Sequence, residues 1–239
     1  MPDNSGARNR PFAVINQGTN DAAWDGSPVT LLPNQSLRMG VTPDGTTVLV
    51  YLNEATRNSP ATLALTAGSS APVFLTAPAL PGLPTVLIRN WKGAALGVTN
   101  VTPPHIQAPV NVQLINPALP WLTPATLGEN ADAMPLGPGQ AARGTTRPSW
   151  MQLILQAGTS GPAVFVIIGG PPGGSGNNAY VVALNAAQEC GPGVGQTPPP
   201  GYYATTVGSV YTYQLNWGAA AVFVANVSGG GASVRLRAL

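Results

Sequence analysis

Two stretches of this chain read as copies of one unit, and that unit is built for β-structure. Residues 63–74 read LALTAGSSAPVF and residues 153–165 read LILQAGTSGPAVF. Each is an apolar run, an Ala-Gly-Ser/Thr-Ser turn, a proline and a second apolar run ending in phenylalanine, with 90 residues between Ala67 and Ala157. The match reaches outward. Pro33-Asn34-Gln35 with Arg38 precedes the first stretch and Pro138-Gly139-Gln140 with Arg143 the second, with 105 residues between Gln35 and Gln140. Residues 86–90 and 181–185 follow them, both ending in asparagine, 95 residues apart. The offsets vary as loop insertions would make them, so the repeat predicts two related β-units in tandem.

Outside the repeat the same grammar holds. Short runs rich in Val, Ile, Thr, Tyr and Phe alternate with Gly/Pro/Asn/Ser clusters along the chain, the pattern of a sandwich or barrel with almost no helix. Sixteen strands are predicted, at 12–16, 29–32, 36–41, 46–52, 61–66, 72–76, 85–90, 96–100, 109–115, 150–156, 163–168, 179–185, 202–206, 209–216, 221–227 and 233–239. They suit an all-β protein of two β-sandwich, jelly-roll-like units: an N-terminal arm at 1–9, a first unit at 10–105 and a second at 106–239. Stretches 116–148 and 186–201 lack strand pattern and are expected as long loops of the second unit, where a copy gains contacts its sister lacks. Ser228-Gly229-Gly230-Gly231 is expected to join the last two strands as a hairpin.

Charge decides which surfaces such a protein can offer. Charged residues are 8% of the chain, against about 25% in an average soluble protein. The ten cations and eight anions are scattered singly, so the basic stripe that a nucleic-acid surface needs is absent. A nearly neutral polar surface opposes close packing of identical subunits very little, which points to self-association. One cysteine, Cys190, excludes an intrachain disulfide and a multi-cysteine metal site. No apolar run approaches the about 18 residues of a membrane span, and residues 1–12 lack the apolar core of a secretory signal. Synthesis in the cytosol is therefore expected, with a virion or an extracellular assembly as the final location.

The search for chemistry ends mostly in exclusions. A single histidine, His105, removes most acid–base and metal schemes. The carboxylates are Asp3, Asp21, Asp25, Asp44, Glu54, Glu129, Asp132 and Glu189, and their local pairs, Asp21 with Asp25 and Glu129 with Asp132, read as solvated loop acids or a weak calcium site rather than a glycosidase pair, with no Asp-x-Asp-x-Asp-Gly loop to favour calcium. Residues 174–179, GSGNNA, formally satisfy a dinucleotide fingerprint, but the next residues read as a strand where a helix N-terminus is required. Asn-x-Ser/Thr triplets at Asn34, Asn100 and Asn226 read as coincidences of composition. No catalytic residue, metal or cofactor is expected.

The dense aromatic patch is Tyr202, Tyr203, Tyr211, Tyr213 and Trp217, and strand alternation puts Tyr211, Tyr213 and Trp217 on one face. That face competes for three uses: the unit's own core, a subunit interface, or sugar stacking. Trp24, Trp91, Trp121 and Trp150 are dispersed as core anchors. The resulting expectation is a non-enzymatic structural subunit that partners with itself, and with other structural subunits, in a shell, capsid, sheath, filament or surface layer. The alternative is a carbohydrate-binding module or adhesin using the aromatic strand face.

Overall fold

A computed structural model describes residues 13–14, 22–55, 59–78, 84–145, 151–159, 162–170, 178–185, 204–207, 209–215 and 221–239. They form two compact units that divide in sequence between Trp121 and Leu122.

The first unit contains β1 (Ala13–Val14), β2 (Ala22–Ala23), β3 (Val29–Leu31), β4 (Ser36–Met39), β5 (Thr47–Asn53), β6 (Ala61–Ala67), β7 (Val73–Ala77), β8 (Thr85–Arg89), β9 (Leu96–Asn100), a 3-10 turn at Pro104–Ile106 and β10 (Val110–Ile115). One sheet has the order β1-β3-β10-β5-β8 and the other β2-β4-β9-β6-β7. The second unit contains β11 (Ala125–Thr126), β12 (Met134–Leu136), β13 (Ala141–Thr145), β14 (Met151–Ala157), β15 (Ala163–Gly170), β16 (Asn178–Leu184), β17 (Ala204–Val207), β18 (Val210–Leu215), β19 (Ala221–Asn226) and β20 (Ala232–Ala238). Its sheets run β12-β20-β14-β18 and β11-β13-β19-β15-β16-β17.

Setting aside the accessory strands β1, β2, β11 and β17 leaves eight in each unit. Numbered in chain order, the eight fall into sheets of order 1-8-3-6 and 2-7-4-5 in both units. That is the double Greek key of a jelly roll, in which every connection crosses between sheets except the one from the fourth strand to the fifth. The protein is thus all-β, a tandem pair of jelly-roll sandwiches.

The alternation of each strand explains its place. In β14, Met151, Leu153, Leu155 and Ala157 are buried while Gln152, Ile154 and Gln156 are not, the period of a strand with one face on the core. They share one cluster with Leu136, Val234 and Leu236 of the same sheet and with Phe165, Ile167, Val182, Leu184, Val222 and Val224 of the facing sheet. Phe165 is fully buried there, and its truncation to alanine would cost about 3–5 kcal/mol. By contrast β10, VNVQLI, is buried at every position, its polar Asn111 and Gln113 included, as is β19 from Val222 to Asn226, where Val-Phe-Val-Ala makes a continuous apolar run. Pro135 sits in β12, which pairs with β20 and forms the edge of its sheet, a place where a missing N–H costs no ladder bond.

Among the described residues all sixteen expected strands are present, and four more, β2, β11, β12 and β13, were not expected. The last three lie inside 116–148, so that segment is not a structureless loop; two of them are two or three residues long, too short to show a period. The expected boundary after residue 105 falls one strand early, because β10 pairs with β3 and β5 of the first unit. The expected C-terminal hairpin is also not one. β19 pairs with β13 and β15, whereas β20 pairs with β12 and β14 in the other sheet. The inner repeat matched different connections: β6–β7 is the in-sheet hairpin of the first unit, whereas β14 and β15 lie in opposite sheets of the second. An Ala-Gly-Ser turn between apolar runs serves a hairpin and a sheet-crossing arch equally. Residues 1–9 and 186–201 lie outside the described residues.

Candidate functional site

The upstream part of the repeat holds in space, whereas the downstream match does not: residues 86–89 belong to β8, the sixth strand of the first jelly roll, and 181–184 to β16, the fifth of the second. In the first unit Asn34, at φ 66°, turns the chain from β3 to β4, and Gln35 Oε1 accepts a hydrogen bond from Leu32 N at 2.9 Å. In the second, Gly139, at φ 71°, turns β12 into β13, and Gln140 Oε1 accepts from Gly137 N at 2.6 Å. Each turn is tied to the end of the seventh jelly-roll strand: Asn34 N donates to Asn100 O and Asn100 N to Gln35 O at 2.7 and 3.0 Å. Gly139 N donates to Asn226 O and Asn226 N to Gln140 O, both at 2.9 Å.

The two asparagines close the arrangement. Asn100 Nδ2 donates to Leu31 O at 3.1 Å and Ala108 O at 2.9 Å, and its Oδ1 accepts from Thr102 N at 3.1 Å. Asn226 Nδ2 donates to Leu136 O at 3.0 Å and Gly230 O at 2.8 Å, and its Oδ1 accepts from Ser228 N at 3.1 Å. Both side chains are fully buried with their amide hydrogens in use. The triplets Asn100-Val101-Thr102 and Asn226-Val227-Ser228 are therefore clamps that tie the two sheets at one end of each sandwich. The repeated Pro-x-Gln and Asn-Val-Thr/Ser in the sequence were the available signal. Asn34, of the third triplet, is exposed.

The aromatic candidates divide differently. Tyr211 and Tyr213 on β18 pair with Leu155 and Leu153 of β14, whose side chains are in the core. Tyr211 itself packs, half-buried, against that core cluster, so the core use holds for this residue. Trp217, Tyr202 and Tyr203 lie outside the described residues. Trp24, Trp91 and Trp121 are buried, as expected of anchors, and Trp24 Nε1 donates to Ser27 O at 2.7 Å; Trp150 lies outside the described residues.

The chemistry-bearing residues are not brought together. His105 is exposed in the 3-10 turn. Asp25 Oδ1 accepts from Ser27 N at 2.9 Å and so caps its own loop, and Glu54 Oε1 accepts from Asn111 Nδ2 at 2.6 Å. Among the described residues no group of three or more His, Cys, Asp or Glu side chains could hold a metal. Asp3, Asp21, Glu189 and Cys190 lie outside them, as does most of the 174–179 stretch, whose last two residues begin β16. A pocket lined by Leu122, Thr123, Met134, Leu136 and Gln140 carries no titratable group, and another beside Trp24 and Pro28 carries Asp25 alone. No helix among the described residues is long and apolar enough to cross a membrane.

No protein-family model matches the chain, and no curated protein matches it. Among solved structures, it is similar to a chain from the triple jelly roll and turret assembly of an archaeal virus. That likeness has 8% identity over 88% of this chain and 60% of that one, with a TM-score of 0.25. Tripeptidyl peptidase 2 gives 10% identity over 89% of this chain and 20% of that one, also with a TM-score of 0.25. The chain thus spans 60% and 20% of the length of these two proteins, and at such scores the fold rests on its own strand order.

Proposed function

We propose that this protein is a non-catalytic building block that self-assembles into a shell, capsid, sheath, filament or surface layer, in a virion or an extracellular assembly. The observation that carries the reading is the duplication: the same clamped jelly roll appears twice in one chain, with the same strand order and the same buried asparagine. A duplicated rigid sandwich presents two similar bodies to neighbouring copies. A surface with 8% charged residues opposes their approach weakly. Other structural subunits are compatible partners of such a surface. The carbohydrate-binding alternative finds no support in Tyr211, which packs inward.

The test is particle size in solution, by light scattering with negative-stain imaging. Large regular objects are expected, changing little between low and high salt because few charges mediate the contacts. A monodisperse monomer at high concentration would overturn the reading.

A further inference from the structure

Among the described residues the two jelly rolls differ in which edges carry an accessory strand, β1 on the first strand of one and β17 on the fifth strand of the other, and the second difference names a contact. The fifth jelly-roll strand ends its four-stranded sheet in the basic topology. In the second unit this strand, β16, is covered by β17, which pairs with it in parallel from Val181 with Ala204 to Leu184 with Val207. In the first unit the same strand, β7, ends the sheet, and among the described residues no strand pairs with its outer side. Exposed edges are normally protected by lysine, proline within the strand or a bulge. β7 reads Val-Phe-Leu-Thr-Ala and has none of these, and residues 58–88 contain no charged residue at all. Leu75 and Ala77 point into the core, while Phe74 is 62% exposed and Val73 38%.

We infer that the free edge of β7 pairs antiparallel with β7 of a second copy of this chain, continuing one sheet across two molecules. This rests on the building-block reading above and names its contact. Three features select a second copy as the occupant. A two-fold pairing centred on Leu75 sets each Phe74 opposite the partner copy's Thr76, so the strand is complementary to itself, as an isologous interface requires. The 31 uncharged residues around it leave no like-charge repulsion between identical strands. The sister unit, finally, already carries an added strand at the equivalent edge.

The test uses the full chain. Phe74→Lys puts a charge on each copy at an exposed position, and unchanged far-UV circular dichroism confirms folding. Light scattering across a dilution series should show its association midpoint raised at least about tenfold over wild type. In parallel, Phe74→Cys and Thr76→Cys chains, each with Cys190→Ser, are mixed and oxidised; the mixture should cross-link into dimers beyond either chain alone. If wild type assembles, Phe74→Lys assembles equally and the mixture shows no excess of cross-links, the β7 contact is overturned and the building-block reading stands. A wild type that stays monomeric at every concentration overturns both.

Discussion

Asn226 does in the second sandwich what Asn100 does in the first: each side-chain amide bridges the carbonyl that ends the first jelly-roll strand and a carbonyl just ahead of the eighth. Those carbonyls belong to opposite ends of the chain segment that makes each unit, so one side chain holds the first, seventh and eighth strands together. Asparagine suits the place because it carries two donors and one acceptor on a short stem, and all three are used. One accessory strand repeats as well, β2 beside β4 and β11 beside β13: Trp24 N donates to Arg38 O at 2.9 Å and Leu127 N to Arg143 O at 2.8 Å.

Replacing either asparagine by alanine takes the side-chain partner from two buried carbonyls and one backbone N–H, and at Asn226 from the Ser228 hydroxyl as well. Each substitution should cost about 2–4 kcal/mol, since burying an unmet polar group costs about 1–3 kcal/mol. Aspartate should not rescue, because its carboxylate cannot donate. Denaturant midpoints check this, and an unchanged midpoint for Asn226→Ala would remove the clamp from the account of stability.

The sister turns give a second comparison. A side chain added at Gly139 meets nothing within 4 Å, so only its φ of 71° resists substitution. Gly139→Val should destabilise by about 1–2 kcal/mol, the cost of the left-handed region for an ordinary residue. Gly139→Asn should cost less, because Asn34 already occupies the equivalent turn at φ 66°. Equal losses for Val and Asn would show that backbone strain does not govern this site.

Glycan acceptance separates the three triplets. Passed through a glycosylating secretory host, the protein should carry sugar at Asn34 and none at Asn100 or Asn226, whose amide nitrogens are buried and bonded. Peptide mass spectrometry reads the occupancy directly. Sugar on Asn100 would contradict the clamp.

Periodicity made the long strands legible, since LALT or LILQ can bury alternate residues in a strand and little else. Which strand pairs with which was not legible. β14 and β15 look like a hairpin in sequence, yet their connection crosses between sheets, because pairing is decided by partners such as β20 that lie about 80 residues away. The clamp was half visible: Pro-x-Gln stands out as a repeat, whereas the Asn-Val-Thr/Ser triplets read as coincidences of composition until burial assigned them. Strands of two or three residues, β2, β11 and β12, carry no period and had no signal to find.

Tyr51 on β5 is 3% exposed, and its burial holds the phenol well above its ordinary value near 10. The unfolded chain therefore releases this proton first as pH rises. Stability from Tyr51 is full below about pH 10 and falls above it, by up to about 1.4 kcal/mol per pH unit. The 295 nm absorbance of the protein less that of Tyr51→Phe should give a phenolate that appears only with unfolding, and Tyr51→Phe should flatten the alkaline fall. Titration of Tyr51 before unfolding would contradict the burial.

The final strand tests the topology most sharply. Val234 and Leu236 of β20 are fully buried while Arg237 is exposed, so the strand faces the core with one side. It lies between β12 and β14, and Asn130 fastens its end: Asn130 N donates to Leu236 O at 2.8 Å and Ala238 N to Asn130 Oδ1 at 3.0 Å. Removing residues 233–239 would therefore not bare the edge of β19, as a hairpin would imply, but take a central strand out of the opposite sheet. The lost burial of Val234 and Leu236, at about 2–5 kcal/mol for a large side chain, adds to the broken ladders and matches the whole stability of an ordinary domain, about 5–15 kcal/mol. Hydrogen exchange should show the amides of β14, β15 and β19 losing protection together, while Arg235→Ser with Arg237→Ser keeps them protected and shifts stability by less than about 1 kcal/mol. Truncated protein whose β14 amides remain protected would show that β20 is not a central strand.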